Sequence, residues 1–393
     1  MTNGNPPALL DAGQCFNKTE VMHNEFLISF IVPVFNTQAY LCETLNSIAA
    51  YEGKDIEIII VDDGSTDDSA EIILNWIMAH KVPARLIRQK NSGLSMARMA
   101  GLSLARGAFI AFCDSDDRLN VAVYIKMALL CEQRGCDIAI CRSLVFDSAT
   151  EESHDFYDAL VWDRIMENRQ IDILNSMSEP SLFRLEPNAN TRLLRRGFML
   201  QNKLTFPAGL HFEDFPVHVH SLAIAKSVLL MNATGYFYRI NRNGKITDQK
   251  SAKRFDILKA VALAYGYAHD VDERGLSHIT SMACRMIYWC GTHTLNKDRT
   301  RFFQEASDLM ARLVPDSIWP LASNAALDER DRLLIDAWAA RAKGLLADIA
   351  SKRQPLLKNS FVLLCDRKYG RLARRIGVRI VRRRIGNLMS HFL

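Results

Sequence analysis

Four apolar, β-branched runs occur in the first third of the chain, and each is followed by a segment with helical spacing. The runs are FLISFIVPV, DIEIIIVDD, ARLIRQ and AFIAFC. Bulky residues fall on both faces of these runs, which is typical of strands in a parallel sheet that helices cover on both sides. Four such strand-then-helix units in succession predict an α/β fold with a mostly parallel, doubly wound sheet.

The length of 393 residues exceeds one typical domain, and the pattern changes along the chain. Helical spacing dominates after residue 250, and Pro355 precedes a strongly basic segment. The predicted units are a flexible leader over residues 1–24, the α/β domain over residues 25–248, an α-helical extension over residues 249–354 and a basic amphipathic tail over residues 355–393.

Cysteine usage and hydropathy both favour a cytoplasmic protein. The nine cysteines are odd in number and include no CxxC pair, so buried reduced thiols are expected. Cys131, Cys136 and Cys141 are evenly spaced, but no second pair or nearby histidine completes a zinc site. No apolar stretch reaches the length of a membrane-spanning helix, and the first residues lack the pattern of a secretory signal.

Polar residues follow each of the four predicted strands, at the strand ends where open α/β sheets bind ligands. These residues are Pro33 to Asn36, Asp62 to Ser65, Gln89 to Gly93 and Asp114 to Asp117. Any one of these segments is also an ordinary turn or helix cap, but four in succession favour a site. Carboxylates this close repel one another unless a cation neutralises them, and oxygen ligands without Cys or His predict Mg²⁺ or Mn²⁺.

Five motifs carry a family resemblance. They are IVPVFN, IEIIIVDDGSTDDS, NSGLSMAR, RGAFIAFCDSDD and FPAGLHFEDFP. In order and spacing they resemble the family 2 glycosyltransferases with a GT-A fold, which build bacterial surface polysaccharides. The resemblance covers about residues 26–248, so it includes neither the helical extension nor the tail. It implies an inverting, metal-dependent enzyme that moves a sugar from a nucleotide diphosphate donor, expected to be a UDP-sugar, to a glycan or lipid-linked glycan.

The resemblance also implies the residues that bind the donor. They are Pro33, Phe35, Asn36, Asp63, Asn91, Arg98 and Asp114. Asp63 is expected to accept a hydrogen bond from a uracil N–H. Asp114 and Asp116 match the DxD motif, in which Asp116 would bind Mn²⁺ or Mg²⁺ directly while Asp114 would reach the ribose or a metal-bound water.

The catalytic base that the resemblance implies is Asp214, with Glu213 just before it. A base takes the proton of the acceptor hydroxyl, and a single carboxylate opposite the leaving diphosphate gives direct displacement with inversion. A Glu-Asp pair before proline is also a good helix start, since acidic residues favour the first turn. The upstream motifs favour catalysis.

The chain departs from the family pattern at two positions. Met99 replaces a usual asparagine, and Lys245 replaces a usual small hydroxyl residue. Arg239 and Arg242 flank Lys245, and by charge these cations are predicted to suit a diphosphate. His218 and His220 are two residues apart, so on a helix they face different ways and are expected to pack or to line the acceptor site.

The tail has the pattern of a basic amphipathic helix. Residues 358–393 contain ten Lys and Arg but one acidic residue, and apolar residues recur at steps of three and four. Such a helix is predicted to lie in an anionic membrane surface, which would make the protein peripheral to the inner face of the cell membrane. A helix packed on the protein is the alternative. No nucleic-acid reader motif is present, so no nucleic acid is expected.

Other protein classes fit the sequence less well. A sugar nucleotidyltransferase needs a Gly-rich phosphate loop near the first strand, and a nicotinamide dehydrogenase needs GxGxxG there. Neither motif follows the first run. A catalytically inactive family member that acts as a scaffold or glycan-binding subunit is the remaining alternative, against which the four residues Asp63, Asp114, Asp116 and Asp214 argue.

Overall fold

The computed structural model describes residues 25–150, 152–241 and 251–351, with side chains described as far as residue 341. Within these residues the fold is α/β, as the sequence predicts. The strands are β1 (Phe26–Val34), β2 (Ile56–Asp62), β3 (Ala84–Arg88), β4 (Gly107–Phe112), β5 (Arg118–Leu119), β6 (Ile138–Asp147), β7 (Ser153–Asp155), β8 (Ile171–Leu174), β9 (Arg192–Arg195) and β10 (Val228–Ile240). The helices are α1 (Leu41–Ala49), α2 (Ser69–Ala79), α3 (Leu94–Leu104), α4 (Val121–Arg134), α5 (Ala159–Met166), α6 (Arg196–Gln201), α7 (Asp214–Ile224), α8 (Asp256–Tyr267), α9 (Glu273–Thr292), α10 (Arg299–Leu313), α11 (Ile318–Asn324) and α12 (Glu329–Ser351).

The described strands form one mixed sheet in the order β3-β2-β1-β4-β9-β6-β10-β5, with β7 beside β6 and β8 beside β10. The four amino-terminal strands pair in parallel, with β1 between β2 and β4. β9 is antiparallel to both β4 and β6, so it joins the first parallel group to the β6–β10 pair. The polar ends of β1, β2, β3 and β4 therefore lie along one edge of the sheet.

Side chains alternate between the two faces of each central strand and so fill two hydrophobic cores. Phe30 and Val32 of β1 pack with α1, α2 and α4 on one face, whereas Ile31 packs on the other. Pro33 is buried near the end of β1, beyond Ile31, the last residue of β1 that pairs with β4. Its missing N–H therefore removes no hydrogen bond from that ladder.

The sequence predicts two separate late strands in KSVLLMN and GYFYRI, but the structure joins them as the single strand β10. Both halves pair in parallel with β6, and irregularities between Met231 and Tyr236 absorb the mismatch in register. A Cβ at Gly235 would lie 2.4 Å from Cys141 Sγ, so this glycine permits the close approach of the two strands. The bulged strand keeps Tyr236 and Arg239 beside the acidic loop that follows β4.

The carboxy-terminal helices share one hydrophobic core with the sheet. Buried residues such as Ile257, Ile287 and Trp338 belong to the same cluster as Ile31 and Ile110 of the sheet. An ion pair between Arg184 and Asp331 of α12 adds a polar link, and the Arg184 side chain is only 2% exposed. The secondary structure therefore changes near the predicted boundary at residue 249, but the hydrophobic core continues across it. The boundary stays a prediction as a domain boundary.

Candidate active site

The loop after β1 and the turn after β2 contact each other at the edge of the sheet. Asn36, which has a φ of 54°, accepts a hydrogen bond at Oδ1 from the Thr66 backbone N–H at 2.8 Å. Its own N–H donates to Ser65 Oγ at 3.1 Å, so the loop after β1 is fixed to the turn after β2. Phe35 directly precedes Asn36, and 47% of its surface is exposed. An exposed aromatic ring on a fixed loop is available to stack on a planar ligand.

Asp63 fixes the start of α3. Its Oδ1 accepts hydrogen bonds from Gln89 Nε2 at 2.7 Å and from the Ser92 N–H at 2.8 Å, and its Oδ2 accepts from the Gly93 N–H at 2.8 Å. Helix N-termini carry unsatisfied N–H groups and favour a negative charge, so the carboxylate stabilises this end. Three of its roughly four acceptor positions are thus used, which leaves one for a ligand N–H. Its role toward uracil stays a prediction.

The turn at Gly64 brings exposed Asn91 close to Asp63. Gly64 has a φ of 76°, and a Cβ there would lie 2.9 Å from the Asn91 backbone nitrogen. The turn therefore requires glycine both for its backbone conformation and for space. The nucleotide contact of Asn91 stays a prediction.

Arg98, one turn into α3, joins three carboxylates. Its guanidinium donates to Asp114 Oδ1 at 3.2 Å, to Glu213 Oε1 at 3.0 Å and to Asp214 Oδ1 at 2.5 Å. The side chain is 1% exposed, and the guanidinium carbon lies 4.9 Å from the centre of the Phe206 ring. Burial lowers the pKa of Arg98, but the surrounding negative charges outweigh it and keep the pKa raised. Its described contacts are thus with carboxylates, while the predicted nucleotide contact of Arg98 stays a prediction.

Asp214 begins α7 and is held at both oxygens. Oδ1 accepts from Arg98, and Oδ2 accepts from the Ala189 N–H at 3.2 Å, while 22% of the side chain remains exposed. Burial raises the pKa of Asp214, against the opposing charge of Arg98. Burial and the neighbouring Asp214 likewise raise the pKa of Glu213. A fixed, partly exposed carboxylate with a raised pKa has the properties of a general base.

The loop after β4 carries the other acidic residues. Asp114 is 29% exposed at its side chain, whereas Asp116 and Asp117 are buried. The hydroxyl of Thr37 donates to Ser115 Oγ at 2.9 Å, which fixes this loop to the loop after β1. The loops after β1 and β2 and the loop that contains Asp114 therefore form one continuous rim.

Asp117 is an acidic residue that the sequence does not assign to the site, and it supports the loop from within. It accepts from the Tyr236 hydroxyl and, at 2.7 Å, from the Arg239 backbone N–H. Burial raises its pKa well above the usual range, and the charges of Asp116 and Asp114 raise it further. The three carboxyl groups belong to four consecutive residues of one loop, so their negative charges are crowded.

Arg239 also contacts the acidic loop, but from its buried side. Its guanidinium donates to the Asp116 backbone oxygen at 2.5 Å and to Glu43 Oε2 at 2.5 Å, and its side chain is 6% exposed. These contacts position the loop, and the predicted diphosphate contact of Arg239 stays a prediction. Arg242 and Lys245 lie outside the described residues, as does the tail over residues 355–393.

The two histidines lie in different surroundings. His218 Nδ1 contacts an Arg192 nitrogen at 2.6 Å, and burial together with this arginine lowers the pKa of His218 well below its usual value. The neutral ring therefore accepts the hydrogen bond. His220 instead stacks on Tyr267 with ring centres 4.1 Å apart. Both rings have packing contacts, and they do not face a common point.

Sequence reasoning missed Glu186, a partly exposed acid three residues before Ala189, whose N–H donates to Asp214. Burial raises the pKa of Glu186 to about 8; the charges of Arg192 and Arg285 oppose this rise, while that of Asp214 adds to it. Its Oε2 is buried without a hydrogen-bond partner. The available signal was an acidic residue directly after the mostly apolar segment SLFRL, in which Arg184 is the one charged residue.

The carboxylates of the rim suit a hard divalent cation. Among the described residues, no group of three or more His, Cys, Asp or Glu side chains is arranged to hold a metal. Mg²⁺ and similar ions, however, are commonly held by one or two carboxylates together with substrate phosphates. Asp114 and Asp116 supply such a pair in a crowded acidic loop, so the residues present fit the predicted ion.

The fold and the acidic rim together define an α/β protein of the GT-A type. Residues 29–189 match the family described as glycosyl transferase family 2. Residues 29–189 therefore form a segment of the family 2 glycosyltransferase type, as the motifs within this segment indicate.

Curated relatives agree with the family. The chain is 30% identical over 227 residues to the uncharacterized glycosyltransferase EpsJ of Bacillus subtilis, which covers 55% of this chain and 62% of that protein. It is 29% identical over 226 residues to the glycosyltransferase GlyG of Streptococcus pneumoniae, which covers 56% of this chain and 72% of that protein. The chain thus spans less than two thirds of the length of EpsJ.

A solved structure confirms the fold. TarS residues 1–349 of S. aureus, in complex with UDP-GlcNAc, superimpose with a TM-score of 0.62 at 18% identity, over 81% of this chain and 91% of that chain. At this identity the likeness establishes the GT-A-like architecture, with helices following the sheet domain. In the described part of the chain, no helix is both long enough and apolar enough to cross a membrane.

Proposed function

We propose that the protein is an inverting, metal-dependent glycosyltransferase. It moves a sugar from a nucleotide diphosphate donor, a UDP-sugar, to a glycan or lipid-linked glycan in surface polysaccharide synthesis. The observation that carries the proposal is the position of Asp114 and Asp214 on one guanidinium, that of Arg98. The acid of the DxD motif and the candidate base thereby flank a single point.

The loops after β1, β2 and β3 bind the nucleotide in this proposal. The exposed ring of Phe35 stacks on the base, and Asp63 accepts from the base N–H with its remaining acceptor position. The TarS structure supports a UDP-linked donor because TarS was solved in complex with UDP-GlcNAc. Asn36 and Asn91 complete the pocket rim.

Asp116 and Asp114 hold Mn²⁺ or Mg²⁺ in this proposal. The ion, when bound, supplies positive charge to the diphosphate leaving group. Arg239 positions the two carboxylates through the Asp116 backbone oxygen and thereby limits their movement.

Asp214 acts as the base. The acceptor oxygen attacks the anomeric carbon while the bond from that carbon to the diphosphate oxygen breaks, and the acceptor proton passes to the Asp214 carboxylate. Contacts with Arg98 and the Ala189 N–H fix the orientation of this carboxylate before substrate binds. Attack opposite the leaving group inverts the anomeric centre.

A panel of nucleotide sugars tests the activity. With Mn²⁺ present, the wild-type protein should release UDP from at least one UDP-sugar, and Asp214→Asn should lower kcat by about 10²–10⁴-fold because a positioned base contributes that much. Asp270→Asn is the matched control, since the Asp270 side chain is 91% exposed. Binding of UDP without turnover of any donor would instead indicate the inactive, glycan-binding alternative.

We further propose that residues 358–393 attach the protein to the cytoplasmic membrane surface. The support is their composition of ten Lys and Arg with one acidic residue. Truncation after Lys352 should move the protein from anionic liposomes into the free fraction. Equal sedimentation of both forms with liposomes would exclude this role for the tail.

A further inference from the structure

A cluster of cations lies where α5, the segment Pro180–Arg184 and α9 meet. Arg274, His278 and Arg285 are spaced by four and seven residues, so they lie on one face of α9. Arg164 of α5 lies near Arg184, since the two guanidinium groups donate to the Leu327 and Ala325 backbone oxygens at 3.3 Å and 3.0 Å. Burial lowers the pKa of His278, and the charges of Arg184, Arg274 and Arg164 lower it further. Among these described arginines, Arg184 is the one that forms an ion pair, with Asp331. The rest of the cluster is a concentration of positive charge.

Arg285 is held in place by an aromatic ring. Its guanidinium carbon lies 4.3 Å from the centre of the Tyr157 ring, and both side chains are partly exposed. Stacking fixes the plane of a guanidinium but leaves its N–H groups directed outward in that plane. Within the described residues, none of these N–H groups reaches a carboxylate.

Glu186 connects this cluster to the candidate base. Its Oε2 is buried and has no hydrogen-bond partner, which is rare in folded proteins and indicates a missing polar partner. Its backbone N–H donates to Asp158 Oδ2 at 2.9 Å, next to Tyr157 in sequence, and three residues after Glu186 the Ala189 N–H donates to Asp214 Oδ2 at 3.2 Å. The segment that contains Glu186 therefore connects the Arg285–Tyr157 contact to the candidate base. The charges of Arg192 and Arg285 oppose the rise that burial causes in the pKa of Glu186. A ligand that approaches Asp214 from this side would meet Glu186 and Arg285.

We propose that Tyr157, Glu186 and Arg285 form an acceptor subsite that recognises a phosphate group of the acceptor. Arg285 binds the phosphate through paired N–H donors, while Glu186 forms a hydrogen bond with an acceptor hydroxyl next to Asp214. Arg274 and Arg164 extend the positive charge for a chain with repeated phosphates. This inference rests on the proposed function, since it names the acceptor class of the same site. The phosphate belongs either to a polyol phosphate chain or to a polyprenyl diphosphate carrier.

Binding of phosphate probes tests the subsite. We expect Arg285→Ala to weaken binding of a fluorescent oligo(ribitol phosphate) at least tenfold, and Arg285→Lys to weaken it less, because lysine keeps the charge but not the paired donors. Arg134→Ala is the matched control, since Arg134 is an exposed cation on α4. Its affinity should remain within twofold of the wild type. Neutral maltoheptaose should show no dependence on Arg285.

A second arm separates the two sources of phosphate. Phosphatidylcholine vesicles with and without a polyprenyl diphosphate are offered to the same variants. If only binding of the oligomer depends on Arg285, the acceptor is a polyol phosphate chain. If only binding of the vesicles depends on Arg285, the acceptor is a lipid carrier. If both depend on Arg285, the subsite recognises the phosphate group that the two ligands share. Equal binding by the wild type and Arg285→Ala in both arms would overturn the subsite, as would equal losses in Arg285→Ala and Arg134→Ala.

A UDP titration of the same proteins distinguishes this failure from failure of the proposed function. If the wild type binds no UDP and turns over no donor, the glycosyltransferase proposal fails, whatever the phosphate probes show. If the wild type turns over a donor but binds the phosphate probes no better than Arg285→Ala does, only the proposal of the subsite fails. Glu186→Gln provides a second variant, which should raise the KM for the acceptor more than it lowers kcat.

Discussion

Arg98 shows how a single residue organises the candidate site. A buried guanidinium is costly unless charges and hydrogen bonds compensate it, and three carboxylates from two distant segments do so here. Two of them, Glu213 and Asp214, are more than 110 residues away in sequence. Arg98 thereby holds the end of β4 and the start of α7 in one geometry.

Replacing Arg98 should therefore cost stability in a pH-dependent way. Arg98→Met leaves three carboxylates without their cation, and breaking a buried ion pair typically costs about 3–5 kcal/mol. Because burial already raises the folded-state pKa of Glu213 and Asp214, the variant should take up protons on folding. Stability should then be greatest below the unfolded pKa and fall as pH rises through the folded pKa. Urea unfolding from pH 5 to pH 8 measures this slope.

The control for this series is Arg134→Met, which removes an exposed cation and should change the free energy of unfolding by less than about 0.5 kcal/mol. A loss for Arg98→Met that is equally small, or that does not grow with pH, would contradict the assigned charge balance.

At the scale of elements, α3 must approach β1 closely for Arg98 to reach the carboxylates. A Cβ at Gly101 would lie 2.4 Å from Ile31 Cγ2, so this glycine permits the contact. The sequence already indicates close packing here, because small residues cluster in this helix. It also predicts the strand ends, since periodicity and turn residues are local signals.

The rest of the site depends on contacts between distant elements, which one sequence does not reveal. Local pattern does not show that β9 inserts between β4 and β6, or that α9 places Arg285 over the Tyr157 ring. Arg98 shows the same limit, because its surroundings come from α7. Arg239 likewise has a recognisable charge, but only the bulged course of β10 shows that it lies beneath the acidic loop.

Substitution of two helical glycines tests the close packing of α3. Gly101→Ala should destabilise the protein by about 1–3 kcal/mol, since the added methyl overpacks the contact with Ile31. Gly266→Ala should stabilise it by about 0.5–1 kcal/mol, because a Cβ at Gly266 meets no atom within 4 Å and alanine favours a helix. Thermal unfolding measures both, and effects of the same sign would refute this account of α3.

At the scale of the whole molecule, the helical extension and the sheet domain share a core and should unfold together. The ion pair of Arg184 with Asp331 lies at their junction, where Arg184 also donates to the Ala325 backbone oxygen at 3.0 Å. A continuous core predicts one cooperative transition.

Asp331→Ala should lower the free energy of unfolding by about 3–5 kcal/mol, because it leaves Arg184 buried without its carboxylate. Arg184→Met combined with Asp331→Leu should recover most of this loss. Exposed Asp270→Ala is the comparison and should cost less than about 1 kcal/mol. Two separate transitions in urea, recorded by circular dichroism and tryptophan fluorescence, would show that the units fold independently.

The central claim is that the acidic rim binds a divalent cation together with a nucleotide diphosphate. Calorimetric titration of UDP into the wild-type protein, with and without Mn²⁺, tests it most directly. Mn²⁺ should increase the affinity for UDP at least tenfold in the wild type and in Asp270→Asn, and by less than twofold in Asp116→Asn. The claim would be contradicted if Mn²⁺ left the affinity of the wild type for UDP unchanged. It would also be contradicted if Mn²⁺ raised the affinity of Asp116→Asn for UDP as much as that of the wild type.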